Sequence, residues 1–154
     1  MSPEEKAKEI GIEFPEIPKL YLNLCIRTGN LLMTSGHVSD IKGKLGKDLS
    51  VEEGYAAAKE CAIKILQSVH HEHGTLDGLR CIKIFGCVNS TQDFTDQHLV
   101  INGCSDFYHE VVRLALELPL QISLQLPCIF LGFFDCFDSL GSSFSTVSFY
   151  SSSS

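Results

Sequence analysis

The segment Ile26–His37 decides the fold of this chain and reads Ile-Arg-Thr-Gly-Asn-Leu-Leu-Met-Thr-Ser-Gly-His. The pair Gly29-Asn30 favours a tight hairpin turn, because glycine and asparagine tolerate positive φ. The apolar run Leu31–Thr34 is too short for a helix and is followed by a second turn signal at Ser35-Gly36-His37. We therefore predict a β-hairpin whose second strand ends near Gly36, where bare backbone lets a ligand approach. An ordinary loop glycine is the alternative interpretation.

Length and composition indicate one folded domain. The chain has 154 residues, of which 44% are hydrophobic and 20% are charged, enough apolar material for a sizeable core. The formal net charge is −7. An acidic surface repels phosphate backbones, so we expect no nucleic-acid partner. The small basic cluster Lys42, Lys44 and Lys47 is flanked by Asp40 and Asp48 and does not change this expectation.

Cysteine usage and the N-terminal sequence predict the compartment. The seven cysteines are odd in number and form no CxxC pair. Buried free thiols in a reducing compartment explain this pattern better than a disulfide framework does. The N-terminal residues 1–6 include acidic side chains and no apolar run of the kind found in a secretory signal. We therefore expect a cytoplasmic protein.

Two long helices and one short helix are predicted. The short one covers Pro3–Glu9. The first long helix begins at the capping box Ser50–Glu53 and ends at Gly74, which is placed to form a left-handed cap. The second begins near Asp93 or Thr95. Its predicted buried stripe consists of Val100, Cys104, Phe107, Tyr108 and Val111.

Strands are predicted on both sides of the first long helix. Leu20–Ile26 pairs through the Gly29-Asn30 turn, and Leu79–Val88 follows the helix, with Gly86 as the site of a bulge. In the latter strand we expect Ile82, Ile84 and Val88 on one face, and Cys81, Lys83, Phe85 and Cys87 on the other. This order of strands and helices predicts an α+β fold with helices on one face of a sheet.

The C-terminal part of the chain differs in character. Leu118–Phe134 carries no charge and is at the lower limit of a membrane span. Pro119, Pro127 and the alternation of apolar and polar residues over Leu120–Leu126 favour a half-buried strand at a sheet edge instead. Ser139–Ser154 is low-complexity, serine-rich sequence, for which we expect disorder.

Few side chains point to chemistry by themselves. His70, His71 and His73 lie at the end of the first long helix, where histidine interacts favourably with the helix dipole. A metal site is the alternative, but adjacent residues such as His70 and His71 point to different helix faces. The sequence contains no phosphate-binding glycine loop, HExxH or GxSxG motif. We expect no metal and no cofactor.

Six sequence blocks together resemble the RidA family (YjgF, reactive-intermediate deaminase), also known as endoribonuclease L-PSP or chorismate mutase-like. They stand in the family order, and the match extends from about residue 3 to residue 112. The blocks are Ile26–Leu32, Thr34–His37, Val51–Gly54, Gly86–Ser90, Asp93–Gln97 and Val100–Asp106.

This resemblance implies a small α+β fold, with a sheet packed on two helices, that assembles as a homotrimer with sites between subunits. In active members such a cleft hydrolyses imines and enamines, including 2-iminobutanoate, 2-iminopropanoate and 2-aminoacrylate, to a keto acid and ammonia. A carboxylate-bearing imine needs a cation to hold it and a positioned water to attack it. By resemblance, Gly36 and Asn102 match ligand-binding residues of the family, so the expected partner is a small imine, enamine or keto-acid-like ligand.

Three departures from the family pattern affect the expected activity. The family's site tyrosine falls at Leu22, beside Tyr21, and a shift of one residue turns a strand side chain to the opposite face. The loop that leads to the family's arginine is missing, so the position of Arg113 does not give it that role. Gln125 stands where the final strand should carry a glutamate. We predict weak or absent deaminase activity; the alternative is a non-catalytic small-molecule-binding or protein-interaction module.

The same comparison predicts the domain limits. The RidA-like domain covers residues 1–130, with 113–130 divergent from the family. Residues 118–130 are the candidate for the final strand of the sheet. Residues 131–154 form an apolar and then serine-rich tail without a counterpart in the family pattern.

Overall fold

The fold is built on one mixed sheet whose helices pack on the same face. A computed structural model describes residues 1–18, 23–112, 120–126 and 143–151. The strand order is β1-β2-β6-β4-β5, with β3 also paired to β6. This confirms the predicted α+β class. The elements are α1 (Pro3–Glu9), β1 (Cys25–Thr28), β2 (Leu31–Thr34), β3 (His37–Val38), α2 (Val51–His73), β4 (Leu79–Asn89), α3 (Gln97–Val111), β5 (Leu120–Leu126) and β6 (Ser143–Ser151).

The predicted hairpin is confirmed. β1 and β2 pair antiparallel, with Thr28 opposite Leu31. Gly29 has φ 58°, whereas Asn30 does not have positive φ. This is the pattern of a type II′ turn, which takes glycine at its first central position. The start of the predicted strand, residues 20–22, lies outside the described residues.

The capping signals place α1 and α2 correctly. The hydroxyl of Ser50 accepts the Glu53 amide at 3.2 Å, and the Glu53 carboxylate accepts the Ser50 amide at 2.8 Å. Ser2 forms the same box with Glu5 at the start of α1. Gly74 ends α2 with φ 86°. Each box satisfies two backbone N–H donors that a helix start otherwise leaves unpaired.

The start of α3 was predicted too early. The helix begins at Gln97, and not at Asp93 or Thr95. The preceding residues instead form a turn in which the Phe94 amide donates to the Thr91 carbonyl at 3.2 Å. The buried stripe of α3 is confirmed, and Ile101 and Gly103 are buried as well.

The bulge in β4 lies elsewhere than predicted. The register shift falls between Cys81 and Lys83, and not at Gly86. The extra residue changes which face the strand presents, so Cys81 and Ile84 both lie in the core, although they were predicted on opposite faces.

The expectation of disorder is wrong for Ser143–Ser151. These residues form β6, which pairs antiparallel with β2, β3 and β4. Phe149 is fully buried and meets the ring of Tyr108 edge to face, with centroids 5.6 Å apart. The high serine content concealed the β-branched and aromatic residues between the serines, which favour a strand: Phe144, Thr146, Val147, Phe149 and Tyr150. The sheet therefore extends past the predicted domain limit at residue 130.

The alternating run Leu120–Leu126 is a strand at the edge of the sheet, as predicted. It pairs parallel with β4. The expectation that this run forms the last strand is wrong, because β6 follows it and takes the central position. Pro127 and the rest of that predicted segment lie outside the described residues. In the part of the chain that the structure describes, no helix has the length and apolar character to cross a membrane.

Replacing Gly103 with alanine is expected to lower the free energy of unfolding by about 1–3 kcal/mol, the usual range for overpacking. A Cβ at this position would collide with the backbone carbonyl of Tyr55, so α3 and α2 would have to separate. Urea unfolding followed by circular dichroism measures the loss.

Gly54→Ala is the matched control, because it gains the same helix propensity of about 1 kcal/mol. Its Cβ would lie 2.6 Å from the movable end of the Leu45 side chain. Equal stability of the Gly103 and Gly54 variants would show that the close helix approach does not limit stability.

Candidate ligand-binding site

The Gly36 turn is held by backbone and hydroxyl hydrogen bonds. The amide of Ser35 donates to the carbonyl of Leu24 at 2.9 Å. The Ser35 hydroxyl lies 3.0 Å from the carbonyl of Asn23 and 3.1 Å from that of Leu24. Gly36 itself is half-buried. The strand end is therefore fixed on both sides of a residue that has no side chain to obstruct a ligand.

The His37 side chain lies in the space between β3 and α2. Its ring is buried, with Nδ1 2.9 Å from the Ser35 carbonyl and Nε2 2.7 Å from the Ser68 hydroxyl. Burial lowers the pKa of His37, and the nearby charge of Lys64 lowers it further, against the opposing effect of the Ser35 carbonyl. The ring therefore favours its neutral form in the folded chain.

Lys64 fastens the segment after Gly36 to α2. Its ammonium donates to the Val38 carbonyl at 3.1 Å and pairs with Glu60 at 2.7 Å and Asp40 at 3.0 Å. Partial burial opposes its charge, but the two carboxylates outweigh this and raise the pKa of Lys64. Lys64 also holds the pKa of the exposed Asp40 below its ordinary value.

Asn102 lies on α3 between Ile101 and Gly103, which both make close contacts with other elements. Ile101 packs over Gly86 of β4, and Gly103 lies against the backbone of Tyr55 on α2. The Asn102 backbone carbonyl accepts the hydroxyl of Ser105 at 3.3 Å. The residue is half-buried. These contacts fix the position of the backbone from which the asparagine side chain extends.

The structure does not bring Gly36 and Asn102 together within one chain. The Gly36 turn meets α2 at Ser68, whereas the Asn102 segment meets it at Tyr55. Thirteen residues of helix separate these contacts, about 20 Å at 1.5 Å per residue. α3 packs on α1, α2, β4 and β5, and its Tyr108 ring meets Phe149 of β6, but its backbone does not approach that of β2 or β3, all of which are described. A small ligand cannot touch both residues of the same chain.

Other residues considered for the site are only partly placed. Leu22, Tyr21 and Arg113 lie outside the described residues. Gln125 is on edge strand β5, with its backbone opposite Val88.

The histidines at the end of α2 serve the fold. The ring of His70 stacks on Phe14, with centroids 4.1 Å apart, and its Nε2 lies 3.2 Å from a carboxylate oxygen of Glu4. Within the described ranges, no three His, Cys, Asp or Glu side chains are arranged to hold a metal ion.

The described cysteines do not supply a nucleophile. Cys25, Cys61, Cys81, Cys87 and Cys104 are free and buried. Burial raises the pKa of Cys25 to about 11 and that of Cys61 and Cys81 to about 12. Because the thiolate is the reactive form, these thiols are inert at neutral pH.

The interactions of His37, Lys64 and Ser68 were not identified from the sequence. His37 counted only as part of a turn signal. A usable signal was present on α2, since Glu60, Lys64 and Ser68 recur every four residues and share one face of the helix. A polar row of this kind beside a buried apolar stripe indicates a contact with another element.

Comparison with known sequences gives a partial match. No family model matches the chain. Protein TCP17 of Trypanosoma cruzi is 43% identical over 65 residues, which are 42% of this chain and 41% of that protein. The chain thus matches less than half the length of this curated relative.

Comparison with solved structures is more extensive. A protein of unknown function from Agrobacterium tumefaciens is 28% identical with a TM-score of 0.75, over 99% of this chain and 93% of that one. A candidate endoribonuclease from Shewanella oneidensis is 21% identical with a TM-score of 0.79, over 97% and 99%. The chain has the fold of the RidA family. E. coli TdcF with bound serine is 14% identical with a TM-score of 0.50, over 90% and 93%. The fold that the resemblance to the RidA family implied is therefore confirmed.

Proposed function

We propose that this chain binds a small imine, enamine or keto-acid-like ligand in a cleft between two subunits of a RidA-type homotrimer. The observation that carries the proposal is that the Gly36 turn and the Asn102 segment contact α2 at Ser68 and Tyr55, which lie about 20 Å apart along the helix. If both residues contact one ligand, they must come from different copies of the chain. Assembly as a homotrimer supplies that arrangement.

The face of the sheet that points away from the helices supports self-association. Ile26, Leu31 and Met33 lie on this open face and are 55%, 38% and 50% exposed. Ile26 is paired directly with Met33 across the hairpin. Contiguous apolar side chains on a sheet face are typical of a protein contact surface. A second copy of the chain is the occupant that the proposed trimer requires.

We further propose that deaminase turnover is weak or absent. Deamination of a carboxylate-bearing imine calls for a cation that holds the carboxylate. The sequence lacks the loop that carries this cation in the family, and Arg113 does not follow the pattern. Loss of such a contact costs about 2–5 kcal/mol, which lowers a rate by orders of magnitude. If deaminase turnover is absent altogether, the chain is a non-catalytic binding module.

Two measurements test the proposal. Light scattering of the full chain is expected to give the mass of a trimer, and a monomer would exclude a cleft between subunits. Ammonia release from enzymatically generated 2-aminoacrylate is expected to stay far below that of an active RidA protein measured alongside. A rate close to the active protein would overturn the weak-turnover proposal.

Ligand binding requires a separate test. Titration with serine, the molecule bound in the TdcF structure, or with 2-oxobutanoate is expected to shift NMR signals at Gly36 and Asn102. Asn102→Ala is expected to weaken binding about tenfold or more, because loss of an uncharged hydrogen-bond partner leaves a buried polar group of the ligand unpaired. His98→Ala, an exposed change on the same helix, is the matched control.

A cytoplasmic location is part of the proposal. It is supported by the free state of the five cysteines in the described part of the chain. Reducing compartments keep such thiols from forming disulfides.

A further inference from the structure

We propose that His37 is a positioning residue for the ligand site: together with Ser68, its neutral ring holds the Ser35-Gly36 backbone against α2, and protonation of the ring loosens that backbone. This inference rests on the proposed function, since it assigns a control to the same site. It concerns residues that do not themselves contact the ligand.

The hydrogen bonds fix the tautomer of the neutral ring. A carbonyl only accepts, so the 2.9 Å contact with the Ser35 carbonyl requires a proton on Nδ1. In the neutral ring Nε2 is then bare and accepts the Ser68 hydroxyl, 2.7 Å away. The two bonds tie the carbonyl immediately before Gly36 to the middle of α2. The neutral ring therefore acts as a bridge between the turn and the helix.

Protonation changes the direction of this network. A second proton on Nε2 makes the ring a donor at both nitrogens, and the Ser68 hydroxyl must then turn away. The Lys64 carbonyl, 3.2 Å from that hydroxyl, can accept it. The number of hydrogen bonds is thus unchanged, so the free-energy cost of protonating the ring is electrostatic. A charged ring would be confined in a buried space without a direct carboxylate partner among the described residues.

The groups around His37 add to this penalty. From α2 the facing charge is Lys64, whose ammonium is bound to the Val38 carbonyl and to Glu60 and Asp40. On β6 the paired residues are Ser145 and Phe144, neither of which ionises. The charge of Lys64 disfavours a charged His37 ring, although less than burial does. Opening of the turn toward solvent relieves both effects, chiefly the burial of the charged ring.

The direction of the pH effect follows from linkage. The pKa of His37 lies below its ordinary value of 6.5 while the turn is closed, and rises toward that value when the turn opens. The closed turn is therefore favoured above pH 6.5 and loses stability as the pH falls below it. The closed-to-open ratio changes by up to about tenfold for each pH unit between the two pKa values. Ligand affinity follows the fraction of chains with a closed turn and is expected to fall as that fraction falls.

The test compares hydrogen exchange of the Gly36 and His37 amides with binding of 2-oxobutanoate, between pH 5 and 8, on the full chain. In the wild type, protection and affinity are expected to fall together as the pH drops. His37→Gln keeps an uncharged hydrogen-bonding group and is expected to remove the pH dependence. Ser68→Ala is expected to reduce protection already at pH 8, and His109→Gln, an exposed change on α3, to behave as the wild type.

The outcomes separate the two proposals. If 2-oxobutanoate does not bind at any pH, the proposed function fails, whereas the exchange data still test the role of His37. If His37→Gln retains the wild-type pH dependence, the inference about His37 is overturned. Should that variant fail to fold, an NMR titration of the wild type replaces it. The Gly36 amide must then titrate with the same midpoint as the His37 ring, and different midpoints would contradict the inference.

Discussion

A chain that ends before Ser143 is expected to lose cooperative unfolding altogether. β6 lies in the middle of the sheet, where it is the strand that connects the β1-β2 hairpin to β4 and β5. Its removal would leave two edges with unpaired backbone groups and an open core. Urea and thermal unfolding followed by circular dichroism are expected to show no sigmoidal transition, and dyes specific for apolar surface are expected to bind.

Removal of residues 152–154 alone is the control, because it leaves β6 intact. This shorter truncation is expected to unfold as the full chain does. Loss of cooperativity in both truncated chains would mean that the effect is not caused by β6. Retention of a wild-type transition by the longer truncation would show that the sheet forms without its central strand.

Phe149 provides the point substitution for the same prediction. Its side chain is fully buried against Tyr108. Phe149→Ala is expected to lower the free energy of unfolding by about 3–5 kcal/mol, through lost transfer energy and a residual cavity. Phe149→Leu keeps much of the volume and is expected to lose less than half as much. Similar losses for both would indicate that the ring is not packed in the core.

Local signals were sufficient to predict the N-terminal two thirds of the fold. The turn at Gly29 and the capping box at Ser50 act over two to four residues, so a single sequence contains all that they need. The start of α3 was misplaced because Asp93 and Thr95 are good capping residues by type. The turn at Thr91–Phe94 depends on backbone hydrogen bonds that residue type does not reveal.

Non-local pairing explains why β6 was missed. A strand in the centre of a sheet is defined by its neighbours, and the partners of Phe149 are Leu32 and Cys81, more than 65 residues away. Its serine content is also typical of disordered segments. The bulge in β4 has the same origin, since it becomes visible only against the register of β6.

The candidate site was predicted only as far as the family pattern extends. Gly36 was marked by the turn signal at the strand end and then by resemblance, whereas Asn102 entered through resemblance alone. The contacts from α2 that hold the Gly36 turn come from Lys64 and Ser68, which are 28 and 32 residues further along the chain. A sequence shows the polar row on α2 but does not show which element it faces.

Glu4→Gln is expected to lower the free energy of unfolding by about 2–3 kcal/mol at pH 7, and the difference should disappear in acid. The Glu4 carboxylate accepts the Leu76 amide at 3.1 Å, the Thr75 hydroxyl at 3.0 Å and His70 Nε2 at 3.2 Å. Partial burial opposes ionisation, but these bonds outweigh it and lower the pKa of Glu4 from 4.5 to about 2. Each pKa unit corresponds to about 1.4 kcal/mol, and screening by solvent at this partly exposed carboxylate reduces the full value of about 3.5 kcal/mol to the expected loss.

The sign of the pH dependence follows from the lowered pKa. The ionised Glu4 stabilises the folded chain fully above about pH 4.5, and this contribution is lost as the pH falls toward 2. Urea unfolding at pH 7, 5.5 and 3 measures whether the free energies of unfolding of the variant and the wild type converge as the pH falls. Glu9→Gln is the matched control on α1, since Glu9 forms only an exposed pair with Lys6 and is expected to change stability by less than about 0.5 kcal/mol. A pH-independent difference for Glu4→Gln would mean that α1 is attached to the α2–β4 connection by packing and not by the carboxylate.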